Sequence, residues 1–236
     1  MNFSAEINGI MVEAEYSDED VKNRYLPFLE RLTKMQKDKG GRVLAMIAAP
    51  PGCGKTTLLH FLKKLSEETP GVQPVTIIGM DGFHRYQDYL LTHTTERNGE
   101  EILMVKIKGA PETFDLPKLT EAIKKVAAGE KIGWPEYNRM THNPQENAIS
   151  VEGNIVLIEG NYLLLDEPGW KDLKQYADLT VRLVKDEEVL KKRLVERQHK
   201  SGKTYEEAEK FVEFSDMANV KLCMENSQEA DIIWEV

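Results

Sequence analysis

Short, nearly uninterrupted apolar runs alternate with amphipathic stretches along most of the chain. Such runs are typical of parallel strands buried on both faces, and apolar residues three or four apart are typical of helices. The runs predict strands at 43–48, 74–80, 154–158, 179–184 and 230–236, with a short further strand at 102–106. Amphipathic helices are predicted at 58–65, 115–128, 185–200 and 204–218. The alternation predicts an α/β fold, a three-layer αβα sandwich with a mainly parallel sheet.

The first 41 residues follow a different pattern and predict a small extension made of a β-hairpin and a helix. Asn8-Gly9, a favoured two-residue turn, separates two strand-like segments within 3–16. Ser17 and the acids after it mark a helix start, and apolar residues at helical spacing continue to Gly40. Pro27 is expected to kink this helix or to mark its true start. The main domain is then predicted to cover 42–236.

Composition narrows the class of protein. With 236 residues, 41% of them hydrophobic, the chain suits one large globular domain with small additions. Its net charge of −9 argues against binding to nucleic acid or to an anionic membrane. Its two cysteines, Cys53 and Cys223, are expected to be free thiols in a reducing compartment. No signal peptide or membrane span is apparent, so a cytoplasmic protein is expected.

A glycine-containing loop between the first predicted strand of the sheet and its helix carries the strongest chemical signal. Strand, loop, Gly-Lys-Thr and helix are the context of a phosphate-binding P-loop, in which backbone N–H groups point at phosphate oxygens. Lys55 would supply a mobile charge for the β- and γ-phosphates, and Thr56 a hydroxyl for Mg²⁺. The candidate ATP-binding residues are Ala49, Pro50, Pro51, Gly52, Cys53, Gly54, Lys55, Thr56 and Thr57.

Acidic residues follow two other predicted strands. Ligands bind beyond the carboxyl ends of strands in such sheets, so these acids are candidates for the site. Asp81 would face the phosphate loop from a neighbouring strand, to accept a proton from a hydroxyl or to hold Mg²⁺ through water; Asp81-Gly82 is equally typical of a plain turn. Glu159 ends an apolar run, which is the Walker B arrangement for organising Mg²⁺.

Two other nucleotide-binding classes are disfavoured. Leu163–Glu167 matches the Walker B segment and catalytic glutamate of ABC-transporter ATPases, but no Leu-Ser-Gly-Gly-Gln signature precedes it. A GTPase is disfavoured because the chain has no Asn-Lys-x-Asp motif.

A basic run spans the end of the third predicted helix of the main domain and the loop after it. Such a run is usually a solvated helix face, but in a kinase a mobile lid there brings arginines onto the transferring phosphoryl group. Arg193 and Arg197 are four residues apart and share a face. A helical lid at about 186–205 is therefore predicted, with at least one of these arginines acting in catalysis.

Taken together, these segments resemble the phosphoribulokinase, uridine kinase and type I pantothenate kinase family of P-loop kinases. The resemblance rests on the P-loop and on four further segments that follow in the family's order. They are Met80-Asp81-Gly82-Phe83, Lys108-Gly109-Ala110-Pro111-Glu112-Thr113-Phe114-Asp115, Trp134-Pro135-Glu136-Tyr137-Asn138-Arg139 and Ile158-Glu159-Gly160-Asn161.

The resemblance implies that Asp81 is the catalytic base, that Glu159 assists at the metal and substrate, and that Tyr137 lines the acceptor pocket. Arg139 stands where pantothenate kinases have histidine, and His84-Arg85 replaces their Leu-Tyr. These departures add cationic groups near the acceptor, although His84 and Arg139 are equally compatible with structural roles. The candidate substrate-binding residues are His84, Arg85, Tyr137, Arg139 and Asn161.

The expected protein is a kinase that uses ATP and Mg²⁺ to phosphorylate an alcohol group of a small metabolite, such as a sugar, a nucleoside or a pantothenate-like compound. Thr56 and Glu159 are the expected metal residues. The alternative is a P-loop ATPase or nucleotide-dependent switch that acts on a protein partner. A homodimer is a further option, because the edge of the N-terminal hairpin offers unpaired backbone groups.

Overall fold

The computed structural model describes residues 1–7, 10–97 and 99–236. Its strands are β1 (Asn2–Ile7), β2 (Ile10–Glu15), β3 (Val43–Ala48), β4 (Thr76–Gly79), β5 (Thr94–Arg97), β6 (Glu100–Leu103), β7 (Ile132–Asn138), β8 (Asn143–Val151), β9 (Ile155–Gly160), β10 (Leu179–Val184) and β11 (Ile232–Glu235). Its α-helices are α1 (Asp18–Asp20), α2 (Leu26–Lys39), α3 (Lys55–Glu68), α4 (Gln87–Thr92), α5 (Leu116–Ala127), α6 (Glu187–Lys200), α7 (Tyr205–Phe211) and α8 (Met217–Glu225).

The central sheet has five parallel strands in the order β11-β10-β3-β9-β4. Every residue of β3 and β9 is buried, as their apolar sequences require. Alternate β3 side chains enter two separate clusters, with Ala45 and Ile47 on one face and Leu44 and Met46 on the other. Helices α2, α3, α6 and α8 contribute to the first cluster and α5 to the second. The predicted three-layer α/β fold is confirmed.

The N-terminal extension shares the first cluster with the sheet. Strands β1 and β2 pair antiparallel, as the hairpin prediction requires, while the predicted Asn8-Gly9 turn lies outside the described residues. Phe61 of α3 joins the two parts, because its ring stacks on Tyr16 at 3.9 Å between centroids and meets Phe3 edge-on at 5.9 Å. The hairpin therefore packs directly on the helix that follows the phosphate loop.

The helix after the hairpin begins at Asp18, where the Ser17 side chain accepts a hydrogen bond from the Asp20 N–H. A π-helical turn at Val21–Tyr25 separates α1 from α2. Pro27, the second residue of α2, lies just after this turn and inside a run that is helical from Asp18 to Lys39, so it does not mark the start of the helix.

Several predicted elements differ from the structure. The segment 102–106 is not a strand of the central sheet: Glu100–Leu103 pairs only with β5, and Met104–Ile107 is a 3₁₀ helix. The helix predicted at 204–218 extends to residue 225 through a second π-helical turn, Val212–Asp216. The long hairpin β7–β8 has no counterpart in the sequence prediction. Within the part of the chain that the structure describes, no helix combines the length and apolarity needed to cross a bilayer.

The packing of the extension on α3 gives a stability prediction. Phe61→Ala should lower the free energy of unfolding by about 3–5 kcal/mol, the usual cost of removing a buried phenylalanine ring. Phe214→Ala, at a side chain that is 55% exposed, should change it by less than about 0.5 kcal/mol. Urea unfolding measures both, and equal losses in the two variants would contradict the packing described here.

Candidate active site

Residues 49–54 form a tight loop between β3 and α3, and residues 55–57 of the predicted phosphate-binding segment are the first residues of α3. Gly52 and Gly54 have φ of +81° and +91°, a backbone region that glycine enters without strain. A Cβ at Gly52 would lie 3.1 Å from Leu194 Cγ, so α6 packs directly on the loop. Because α3 begins at Lys55, its unpaired N–H groups and positive dipole end face the loop. This is a site for an anion such as a phosphate group.

Cys53 of this loop is buried and unreactive. Burial raises the pKa of its thiol to about 11 and that of Cys223 to about 12. Both cysteines are free thiols, as predicted, and burial keeps them protonated at neutral pH.

The register of the sheet brings Glu159 to the phosphate loop. Glu159 pairs with Ile47 of β3 on one side and with Gly79 of β4 on the other. The Thr56 hydroxyl donates a 2.8 Å hydrogen bond to Glu159 Oε1. Glu159 Oε2 is buried, with no hydrogen-bond partner among the described residues. Loop and strand thus meet around a carboxylate with one free oxygen.

Asp81 reaches the same place from β4. It lies two residues beyond the end of that strand, in a 3₁₀ helix, Met80–Phe83. The neighbouring-strand prediction needs correction, since β9 separates β4 from β3. Gly82 is required here by space, because a Cβ would lie only 2.0 Å from the Pro135 carbonyl oxygen. The close approach of β7 that Gly82 permits closes one side of the site.

The two carboxylates respond oppositely to their surroundings. Burial raises the pKa of Glu159, and the nearby Asp81 charge adds to the effect. Burial also pushes up the pKa of Asp81, but His84, in its protonated form, and the positive charges of Lys55, Arg139 and Arg197 outweigh it and leave that pKa below its ordinary value. Burial lowers the pKa of His84 itself, so Lys55 and the two arginines are the cations that remain at neutral pH. Asp81 is therefore ionised at neutral pH and Glu159 is the carboxyl that holds a proton more readily.

A cleft of about 120 Å³ opens between these groups and β7. Its polar lining includes Thr56, Asp81, Tyr137, Arg139 and Glu159. Its apolar lining includes side chains of α3 and β4, namely Leu59, Ile77 and Ile78. The cleft therefore joins the end of the phosphate loop to a small chamber with acidic and cationic groups.

Not every candidate substrate-binding residue lines this cleft. His84 is fixed beside it, with Nδ1 2.8 Å from the Asp81 carbonyl oxygen and its ring 4.0 Å from that of Phe114. Arg85 lies in a separate recess with its guanidinium 4.7 Å from the ring of Tyr89. The Asn161 carbonyl accepts a hydrogen bond from the Cys223 thiol at 3.4 Å, and Asn161 does not line the cleft.

The two predicted lid arginines lie on the loop side of α6. Arg193 Nη1 donates to the Gly52 carbonyl oxygen at 3.4 Å. Arg197 pairs with the buried Asp216 at 3.7 Å, and its charge also contributes to the lowered pKa of Asp81. Asp216 was missed in the sequence, because nothing near it in the chain indicates that it meets Arg197.

Lys108 is a further residue of the site that the list of candidates omitted. Its ammonium donates to Gln87 Oε1 at 2.6 Å and to the His142 carbonyl at 3.0 Å, and lies 5.0 Å from the centre of the Tyr137 ring. Burial lowers the pKa of Lys108 to about 8. The sequence did contain a signal for Lys108, because this residue is the first of one of the segments on which the family resemblance rests.

The comparisons with known proteins agree with this geometry. Residues 44–236 match the sequence model of the Phosphoribulokinase / Uridine kinase family. The chain therefore belongs to this family and is a P-loop kinase, a phosphotransferase that acts on a small metabolite. The predicted family is confirmed.

Named relatives support the same assignment. The protein YggC of Escherichia coli K12, described as uncharacterized, is 35% identical over 100% of this chain and 96% of its own length. A pantothenate kinase from Lactococcus lactis is 27% identical over 78% of this chain and 63% of its own. These two relatives show how far the similarity extends and do not fix the acceptor.

Solved structures share the fold. A protein from Silicibacter sp. TM1040, described as a candidate fructose transport system kinase, has a TM-score of 0.73 and 30% identity over 86% of this chain and 98% of its own. YFH7 from Saccharomyces cerevisiae also has a TM-score of 0.73, with 17% identity over 90% of this chain and 98% of its own, and its likeness concerns the fold alone.

The raised pKa of Glu159 gives a prediction about stability. A carboxyl whose pKa is raised in the folded state destabilises the protein as pH rises above its ordinary value of 4.5, since the unfolded chain loses its proton more easily. Glu159→Gln keeps an acceptor for Thr56 and removes this cost. The variant should be more stable at pH 7 by about 0.5–2 kcal/mol.

This gain in stability should fade as pH falls below 4.5, where residue 159 of the wild type is protonated in both the folded and the unfolded state. Denaturant unfolding at a series of pH values measures it, and Glu152→Gln, at an exposed acid, is the matched control. A loss of stability in Glu159→Gln at pH 7 would show that the charged form is the favoured one.

Proposed function

We propose that this kinase transfers the γ-phosphate of ATP to a hydroxyl group of a small metabolite, with Mg²⁺ as cofactor. The observation that carries the proposal is the meeting of a phosphate loop, an ionised aspartate and a buried glutamate around one small cleft. A sugar, a nucleoside or a pantothenate-like alcohol is the proposed acceptor class.

The phosphate chain of ATP would bind along the loop. Backbone N–H groups at the start of α3 and the Lys55 ammonium would bind its oxygens. Arg193, which already donates to the loop at Gly52, would neutralise charge that builds up during transfer, and Arg197 would act from the side of Asp81.

The residues present fit a magnesium ion. Mg²⁺ in such sites takes only one or two protein ligands and completes its shell with phosphates and water. Thr56 and Glu159 would hold it: the Thr56 hydroxyl hydrogen already points to Glu159, which leaves the oxygen lone pairs available, and Glu159 Oε2 is unpartnered. When bound, Mg²⁺ would neutralise charge on the β- and γ-phosphates. Among the residues that the structure describes, no three His, Cys, Asp or Glu side chains form a metal cluster by themselves.

Asp81 is the proposed base. The acceptor oxygen would form a bond to the γ-phosphorus while the bond from that phosphorus to the bridging oxygen breaks and ADP leaves. The proton of the hydroxyl would pass to Asp81, which the surrounding cations keep ionised. Positioning and charge stabilisation would supply most of the rate enhancement, as in other phosphoryl transfers.

The lining of the cleft supports a polar acceptor. Tyr137 and Arg139 offer a hydroxyl and a guanidinium to acceptor oxygens, and Lys108 stands behind the Tyr137 ring. A compound with several hydroxyl groups or a negative charge satisfies these donors better than an apolar alcohol. Arg85 and Asn161 would contact the acceptor only if the acceptor were large enough to extend beyond the cleft.

A screen of acceptors tests the proposal. Purified protein with ATP and Mg²⁺ should release ADP rapidly only when the right sugar, nucleoside or pantothenate-like alcohol is present. Lys55→Ala should remove that activity, which shows that it belongs to this site. Rapid ATP hydrolysis without any acceptor, or only with a protein partner, would instead favour an ATPase or switch.

Asp81→Asn should separate binding from transfer. The variant should still bind ATP, but transfer should fall by about a hundredfold or more because the proton acceptor is lost. Calorimetry measures the binding, and ADP release with the best acceptor measures the transfer. Asp88→Asn, at an exposed acid of α4, is the matched control and should keep the full rate. An unchanged rate in Asp81→Asn would assign the base elsewhere.

A further inference from the structure

A second, larger cleft adjoins the phosphate loop on the side away from Asp81. It has a volume of about 660 Å³, and the loop lines it through Gly52, Cys53, Gly54 and Thr57. Its other walls come from β2, the start of the N-terminal helices, the residues after β10, and the end of β11. The catalytic steps proposed above involve the loop and Arg193 but none of the other walls of this cleft.

The first turns of α3 separate the two clefts. Thr56, Leu59 and His60 line the acceptor cleft, whereas Thr57 and Leu58 line the larger one. Residues three and four apart share a helix face, so α3 presents different faces to the two spaces. A phosphate chain bound by the loop with its terminal group beside Asp81 would have its other end at the larger cleft, because loop residues line that cleft.

The larger cleft is lined by charged side chains of both signs. Lys185 and Arg193 lie at the loop end, where their charges act on Cys53. The acids Glu13, Glu15 and Asp20 also line the cleft. The cations near the loop favour phosphates there, and the acids favour hydrogen-bond donors of a ligand, such as ribose hydroxyls or an amino group of a base.

The proposed use of ATP places the ribose and base of the nucleotide in this cleft beside the loop. Resting on that proposed use, we infer that β2 of the N-terminal hairpin forms one wall of the nucleoside site. Val12 and Ala14 supply apolar surface for the base, together with Val236 beyond the end of β11. Arg24 links two walls of the cleft, the N-terminal helices and β11. Its guanidinium donates to the Glu235 carbonyl oxygen at 2.8 Å and pairs with Asp20 at 3.4 Å.

The hairpin lies outside the part of the chain that matches the family model, which begins at residue 44. Its contact with the nucleotide would therefore be a property of this chain rather than of the matched family domain. The packing of Phe3 and Tyr16 on Phe61 gives the hairpin a fixed position relative to the loop, as a binding wall requires.

Binding of ATP compared with inorganic tripolyphosphate, each with Mg²⁺, tests the inference without an acceptor. Tripolyphosphate carries the phosphate chain but no nucleoside. Val12→Trp should fill part of the cleft, so calorimetry should show ATP binding weakened about tenfold or more and tripolyphosphate binding unchanged within about twofold. Met11→Trp, at a neighbouring side chain that is 63% exposed and does not line the cleft, should leave both ligands unaffected.

The outcomes separate this inference from the proposed function. A wild-type protein that binds neither ligand overturns both. A Val12→Trp protein that binds ATP as the wild type does, or that loses both ligands equally, overturns the inference alone.

Photolabelling of the wild-type protein with 8-azido-ATP is an independent measurement that needs no variant. Peptides from residues 12–20 or 235–236 should carry the label, and excess ATP should prevent it. Label confined to other segments would overturn the inference.

Discussion

The hydrogen bond from Thr56 to Glu159 joins the phosphate loop to the strand beside it, and the site is built around this contact. It forms because β9 pairs with β3 in a register that sets Glu159 beside Ile47, at the carboxyl end of the sheet. The same register sets Glu159 beside Gly79, which brings Asp81 within reach of the same place. A shift of one residue would turn Glu159 to the opposite face of the sheet.

Burial raises the pKa of Glu159, and the hydrogen bond from Thr56 offsets only part of that effect. Glu159 is buried with one oxygen bonded to Thr56 and the other free, so its charge is costly until a cation arrives. Asp81 is compensated by surrounding cations and remains ionised. Two carboxyl groups in one site thus have different tasks, with Asp81 suited to accept a proton and Glu159 suited to hold a metal. The cost of burying Glu159 is the kind of local instability that functional sites retain.

Local patterns in the sequence were enough to predict the strands of the sheet, the phosphate loop and the positions of the two acids, because each of these features depends on residues adjacent in the chain. The hairpin β7–β8 was missed because β8 is mostly polar and shows no clean alternation. Asp216 pairs with the distant Arg197, which no local pattern reveals. Lys108 stood in a recognised segment, but its contact with the distant His142 could not be predicted from that segment. Arg85 was expected in the acceptor pocket because it departs from the pantothenate kinase pattern after Asp81-Gly82-Phe83. Its backbone N–H instead donates to the Thr113 carbonyl, and its side chain lies in a different recess. The domain boundary at residue 42 and the roles of the site residues remain predictions.

The most direct measurement of the central claim is the Mg²⁺ dependence of ATP binding in the wild type and in Thr56→Val, followed by calorimetry. If Thr56 and Glu159 together hold the metal at the phosphate loop, Mg²⁺ should tighten ATP binding in the wild type. Thr56→Val should lose most of that gain while ATP without Mg²⁺ binds equally well to both proteins. An equal effect of Mg²⁺ on the two proteins would contradict the account.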